Sequence, residues 1–331
     1  MAAVRNAVLV ATIAAAAALP PLPKVLPLPA LRAHGVTVTA QVAADRQPGN
    51  PAVGFGSVWV PSSENDIVDR FDAATGKLQT RIRAGSAHAA VQSRYFDSVA
   101  VGATSVWAAS DVGNEVVEID PKKNTVVRRV AVPGRPGEVT VGPQGVYVFL
   151  FNQSGVLRID AGNGKIVRTT TVPGSALGVA LGAGAVWALS STGPTVLRLD
   201  AKTLAVQKRV SVFMQAPFVG GFFEAWWIAA GDSAVCVGNQ QQNAVTRIDP
   251  ATSKVVTRTK LPFGKQPFSV AADGASCWTV NDSGVFRVGK EIAWSRLPPL
   301  GGSAFDGVAA SHGRAWVTVA GRNALLTVRP S

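Results

Sequence analysis

Three histidines, His34, His88 and His312, and two cysteines, Cys236 and Cys277, are all the imidazoles and thiols among the 331 residues. Acid–base chemistry needs a donor and an acceptor held together. No Glu-x-His pair occurs anywhere in the chain. Of the three histidines only His88 stands where it could act, in the segment Gly85-Ser-Ala-His-Ala-Ala-Val-Gln-Ser-Arg-Tyr-Phe-Asp97, which also offers Arg94 and Tyr95. Its available carboxylate partners are Asp97 and Glu138; without one of them it reads as an ordinary loop histidine. A second segment, Val212 to Trp227, carries Phe222, Phe223, Glu224 and Trp226. Aromatics beside an arginine suit a ligand or partner patch, and the rival reading folds them inward as a plug.

Other polar candidates are Arg46, Arg135, Glu138, Lys265 and Asp306, with Glu64, Asp111, Asn152, Asn239 and Asp282. They mix both signs. Hard cations need several converging oxygens and zinc sites usually need His or Cys, so neither a dedicated Ca²⁺ or Zn²⁺ site nor any cofactor is expected. No glycine-rich phosphate loop and no convincing Ser/His/Asp order is present. Cys236 and Cys277 fall at nearly matching positions of neighbouring repeats, a placement usually too distant to bridge. Two buried free thiols are therefore expected ahead of a disulfide.

What positions these residues is a repeat. A short apolar strand, a Gly turn, a strand with a central large residue, a strand ending in Asp and a fourth strand recur. Clear copies are Val99-Ala-Val-Gly102 … Ser105-Val-Trp107 … Val117-Glu-Ile-Asp120 and Val179-Ala-Leu-Gly182 … Ala185-Val-Trp187 … Leu197-Arg-Leu-Asp200. The central position reads Trp59, Trp107, Tyr147, Trp187, Cys236, Trp278, Trp316, at successive spacings of 48, 40, 40, 49, 42 and 38. In the first five copies an Asp follows 13 residues later: Asp72, Asp120, Asp160, Asp200 and Asp249. Four short strands per 40-residue period mean propeller blades, so an all-β, seven-bladed β-propeller is predicted. The Trp should pack between blades and the Asp should open a turn by bonding the backbone two residues on. Both read as structural.

The seventh copy has three strands: Val308–Ser311, Ala315–Val319 and Ala324–Val328. Val36, Val38, Ala40 and Val42 alternate in phase and can supply the fourth, closing the ring and removing its open seam.

Residues 1–33 read as an export signal and Pro-rich leader: Arg5, an apolar run from Ala7 to Leu19, small residues at Ala16 to Ala18, then Pro20 to Pro29. The apolar run is short for a bilayer span. The propeller domain is then 34–331, and the chain is expected outside the cytoplasm, periplasmic or secreted, as a monomer. The formal charge is +12, which permits attraction to anionic polymers. The basic residues alternate along predicted outer strands, at Arg81, Arg83, Arg128, Arg129, Arg168 and Arg258, and read as a solvated rim. With no Lys/Arg run interleaved with aromatics, nucleic acid is not the expected partner.

The motifs Gly56-Ser-Val-Trp-Val60, Gly184-Ala-Val-Trp187, Val245-Thr-Arg-Ile-Asp-Pro250 and Asp72-Ala-Ala-Thr-Gly-Lys77 resemble those of the YVTN/YncE-like seven-bladed propeller family. More loosely, they are similar to virginiamycin B (streptogramin) lyase propellers. The resemblance runs from about residue 36 to 331 and implies the fold. The lyase resemblance implies a metal-assisted elimination using histidines and a carboxylate on the channel face, from which this sequence departs through its shortage of His.

Tight turns join strands one to two and three to four on one face, whereas the longer two-to-three and four-to-one loops share the other. Function usually sits on loops that a rigid scaffold positions. The expectation is a non-catalytic scaffold binding a small molecule, an envelope polymer or a protein at the channel mouth, through His88, Arg94, Tyr95, Arg135, Glu138, Phe222, Phe223, Trp226 and Lys265. The alternatives are a lyase or hydrolase at the same mouth and a polyanion-binding propeller.

Overall fold

The computed structural model describes residues 19–24 and 31–331, except 63, 86–97, 111–112, 152, 154, 174–175, 191–194, 213–224, 266 and 298–306. Among the described residues the chain folds into seven antiparallel sheets. Blades one to five run outward in chain order; blade three, for instance, uses Pro136–Gly142, Gly145–Leu150, Gly155–Ile159 and Ile166–Thr171. The innermost strands touch in sequence around the ring, and that of blade seven, Val308–Ser311, meets that of blade one, Ala52–Gly54.

The ring closes through the N-terminal side of the chain. Val36–Ala43 pairs antiparallel with Ala324–Pro330 and forms the outer strand of blade seven. Just before it, Ala33–His34 pairs with Ser295 and Trp294 at the outer edge of blade six. Gly35 makes the switch between blades at φ +72°, and a Cβ there would lie 2.9 Å from the Ala293 Cβ, so both the backbone conformation and the space demand glycine.

Apolar packing between blades holds the disc together. Trp59, Trp107, Trp187 and Trp278 are fully buried. Each contributes to the cluster shared with the following blade; Trp187, for example, packs with Val235 and Val237. The Asp turns form as the spacing predicts. Asp72 Oδ1 accepts the N–H groups of Ala74 and Thr75, and Asp120, Asp160 and Asp200 repeat the pattern. Hydrogen bonds to the charged form, led by the Thr75 hydroxyl, hold Asp72 below the usual carboxylate range.

Two sequence expectations need correction. First, Cys236 and Cys277 form a disulfide, with Cα atoms 5.7 Å apart. The reason is register. Cys236 occupies the central position of blade five, but Cys277 precedes the central Trp278 of blade six by one residue. A one-residue offset along a strand reverses the face on which a side chain lies. Cys236 thus faces forward and Cys277 backward, inside the one apolar cluster that joins blades five and six. Second, Arg81 is not a solvated rim residue. Its side chain is 11% exposed and forks between Asp45 Oδ2 at 2.7 Å and Asp69 Oδ1 at 3.1 Å, both acids being buried. It also donates to the Pro20 carbonyl. Burial leads among the causes that raise Asp69 to about 6, opposed by the Asp45 N–H and by Arg81. The cluster pins the chain leaving the closure strand onto blade one. Arg128 and Arg129 pair with Glu118 and Glu115 on the neighbouring strand, so the rim is partly self-neutralised.

Candidate functional site: the central channel

Every inner strand contributes two wall positions defined by the repeat. Seven residues before the central position stand Ala52, Ala100, Thr140, Ala180, Ala229, Ala271 and Ala309, each cross-strand partner of the central residue of its own blade. Two residues earlier stand Asn50, Ser98, Glu138, Gly178, Trp227, Ser269 and Gly307. Asn50, Ser98, Glu138, Trp227 and Ser269 of this set line a cavity of about 340 Å³ on the axis; Gly178 and Gly307 do not. That volume is at the lower end for small-molecule pockets. The wall is otherwise Val, Ala, Leu, Ile and Pro51.

The second of these sets forms a polar belt toward the end of the channel where the four-to-one loops enter. Its side chains cap backbone amides of the next blade. Ser98 Oγ accepts the Val139 N–H at 2.8 Å, Glu138 Oε2 accepts the Val179 N–H at 2.9 Å, and Ser269 Oγ accepts the Val308 N–H at 3.2 Å. Ser269 Oγ also lies 3.0 Å from Asn50 Oδ1. The belt's two glycines make room for these groups. A Cβ at Gly178 would meet Glu138 Oε2 at 2.7 Å, and one at Gly307 would meet Asn50 Oδ1 at 2.8 Å. Trp227 lines the cavity, and its buried Nε1 has no hydrogen-bond partner among the described residues.

Glu138 is the one titratable residue among those lining the cavity. Burial pushes its carboxyl up to about 8, the Val179 N–H opposing. Among the described residues no cation offsets the burial, although the chain carries 32 Lys and Arg. Arg135, three residues earlier, lies over the Phe151 ring, 5.9 Å from its centroid. The carboxyl is therefore mostly protonated at neutral pH and poised to ionise when a positive charge arrives. Thr140, on the same strand and the same side as Glu138, makes no side-chain hydrogen bond among the described residues.

Of the residues expected at the mouth, Glu138 lines the channel and Arg135 is not among its lining residues. Lys265 is exposed, and its N–H donates to Asp282 Oδ1 at 2.8 Å. Glu64 pairs with Arg46 at 3.1 Å on the surface. Asn239 is buried and structural, donating to the Val212 carbonyl and accepting from Thr246. His88, Arg94, Tyr95, Phe222 and Phe223 lie outside the described residues, as does the Trp226 side chain. Asn50, Ser98, Thr140 and Ser269 were not singled out from the sequence, though their fixed offsets from the central position could have located them. No group of three or more His, Cys, Asp or Glu residues able to hold a metal occurs among the described residues.

No protein-family model matches the chain, and no curated protein sequence matches it. Solved structures do: hydrazine synthase of Kuenenia stuttgartiensis superposes with a TM-score of 0.67 at 16% identity, over 88% of this chain and 97% of that one. At that identity the similarity establishes a shared seven-bladed β-propeller fold and nothing finer.

Proposed function

We propose that this β-propeller is a non-catalytic binding protein that takes a small molecule into its central channel. We place it outside the cytoplasm, among YVTN/YncE-like propellers. The observation that carries the reading is the channel wall: apolar, with a belt of neutral hydrogen-bonding groups and the single ionisable Glu138. Such a surface binds and orients. Hydrolysis or elimination asks for a second acid–base group or nucleophile beside the first. The lyase alternative would have to recruit His88 to Glu138. The apolar run and small residues before Leu19 support export, and the motifs around the central Trp positions support the family.

A thermal-shift screen of purified protein against neutral, cationic and anionic small molecules tests the reading. A ligand at 100 times its Kd raises stability by about 2.7 kcal/mol. Thr140→Phe fills the channel without removing a side-chain hydrogen bond made among the described residues, and it should abolish the shift. Ligand shifts that survive in Thr140→Phe would move binding away from the channel and refute the proposal. Turnover of a bound compound that is lost in His88→Ala would favour the lyase alternative.

A further inference from the structure

We infer that the channel ligand is a small primary alkylammonium, its nitrogen held by Glu138 Oε1 and Thr140 Oγ1 and its carbons against the Val and Ala wall. The inference rests on the channel being the binding site and names the class of ligand. Glu138 commits one oxygen, Oε2, to the Val179 N–H and leaves the other without a partner among the described residues. Thr140 lies two residues on, on the same side of the strand, with its hydroxyl equally uncommitted. These are two acceptors for the three N–H donors of an ammonium. Gly178 keeps the next blade's side chain out of the space beside the carboxylate.

The electrostatics select the charge. Among the described residues the lone carboxyl has no counter-ion in the wall, so a ligand cation supplies one. A divalent metal would need several more oxygens, and no such group of acidic or imidazole ligands exists among the described residues. An anion would keep Glu138 protonated and, among the described residues of the wall, would find no cation to offset its own desolvation. The elements packed on the Glu138 strand offer nothing that competes. Val99–Val101, Val106–Ser110 and Ala176–Gly182 contain no titratable residue. The strand Gly145–Leu150 contributes only Tyr147, whose hydroxyl donates to the Ala201 carbonyl.

Ammonium binding to an ionised Glu138 must displace its proton. At pH 7 a carboxyl titrating at about 8 gives up about 0.9 proton on binding. Primary amines stay cationic across this range. Affinity should rise about tenfold per pH unit below pH 8 and level off above it.

The test is isothermal titration of the protein with n-butylamine, n-butanol and butyrate at pH 7, in two buffers of different ionisation enthalpy. Butylamine should bind with about 0.9 proton released. Glu138→Gln should weaken binding about 30-fold, the scale of one charge-assisted hydrogen bond, and abolish the proton release. Gly178→Ala, which pushes the carboxylate out of its notch, should weaken it similarly. Butylamine binding undiminished in Glu138→Gln, or binding without proton release, would overturn the inference. Butanol or butyrate binding in place of the amine, with loss in Thr140→Phe, would overturn the ligand class while upholding the channel. Failure of every ligand, in this titration and in the wider screen, would overturn both.

Discussion

Breaking the Cys236–Cys277 bridge should cost this propeller about as much as removing a buried tryptophan. The bridge closes a span of 41 residues. Lost loop entropy in the unfolded chain then corresponds to about 4 kcal/mol. Elsewhere in the ring the central position holds a buried Trp or Tyr, whose truncation to Ala costs about 3–5 kcal/mol. Blade five has only a cysteine there, so the covalent link offsets the packing that the smaller side chain cannot supply. Unfolding entropy for a domain of this size is about 0.6 kcal/mol/K, which turns 4 kcal/mol into a fall of about 6 °C in Tm. The assay is calorimetry with and without reductant, with Cys236→Ala/Cys277→Ala as a control indifferent to reductant. Alkylation of the unreduced, denatured protein should add no label. Two labelled thiols, or a reductant effect under about 1 °C, would refute the argument.

Two further outcomes follow from the channel and the seam. Glu138 is held about 3.5 units above its ordinary value, 8 against 4.5. From pH 4.5 to 8 the native state keeps a proton that the unfolded chain has released, so stability falls as pH rises through this window and flattens above 8. Glu138 is only half-buried, and solvent screening limits the size to a few kcal/mol, below the roughly 5 kcal/mol of the full shift at about 1.4 per pH unit. Denaturant midpoints of Glu138→Gln should lose this component of the slope, and a variant curve parallel to wild type would contradict it. Deleting residues 31–43 should expose the edges of blades six and seven and give aggregation measurable by light scattering; a monodisperse, fully stable deletion protein would show that the closure strand is dispensable.

The fold was legible because the propeller writes its period into large side chains and turn acids. Trp59 to Trp316 mark seven interfaces, and the five Asp turns mark four-strand units whose carboxylates accept the amides that the spacing required. The missing outer strand of the last blade was legible by subtraction, since Val36 to Val42 alternate and nothing else remained to pair with Ala324–Pro330. The disulfide was not read correctly, because the two cysteines were compared by repeat rather than by face. Burial of Arg81 also escaped the sequence. Its acidic partners, Asp45 and Asp69, come from the closure linker and an adjacent strand, so the alternation of charges along a single strand could not reveal it.

The site divides differently. Attention to the longest loops led to His88, Arg94, Tyr95 and the aromatics near Trp226, on the ground that irregular segments carry function. Those side chains lie outside the described residues; a polar belt that includes the expected Glu138 lies in the regular part of the repeat, nine residues before each central position: Asn50, Ser98, Glu138, Gly178, Trp227, Ser269, Gly307. In a scaffold of near-identical blades, structure dictates the same residue type at the same register, as it does at the neighbouring position, where six of seven residues are Ala. A register that holds five residue types in seven blades is not obeying the scaffold alone. The one blade that departs at both positions is blade three, with Glu138 for the belt and Thr140 in place of Ala. Variation within a repeat, read column by column, therefore points to the channel and to a single strand of it, and it does so from side chains that the wall's packing alone would have made small and apolar.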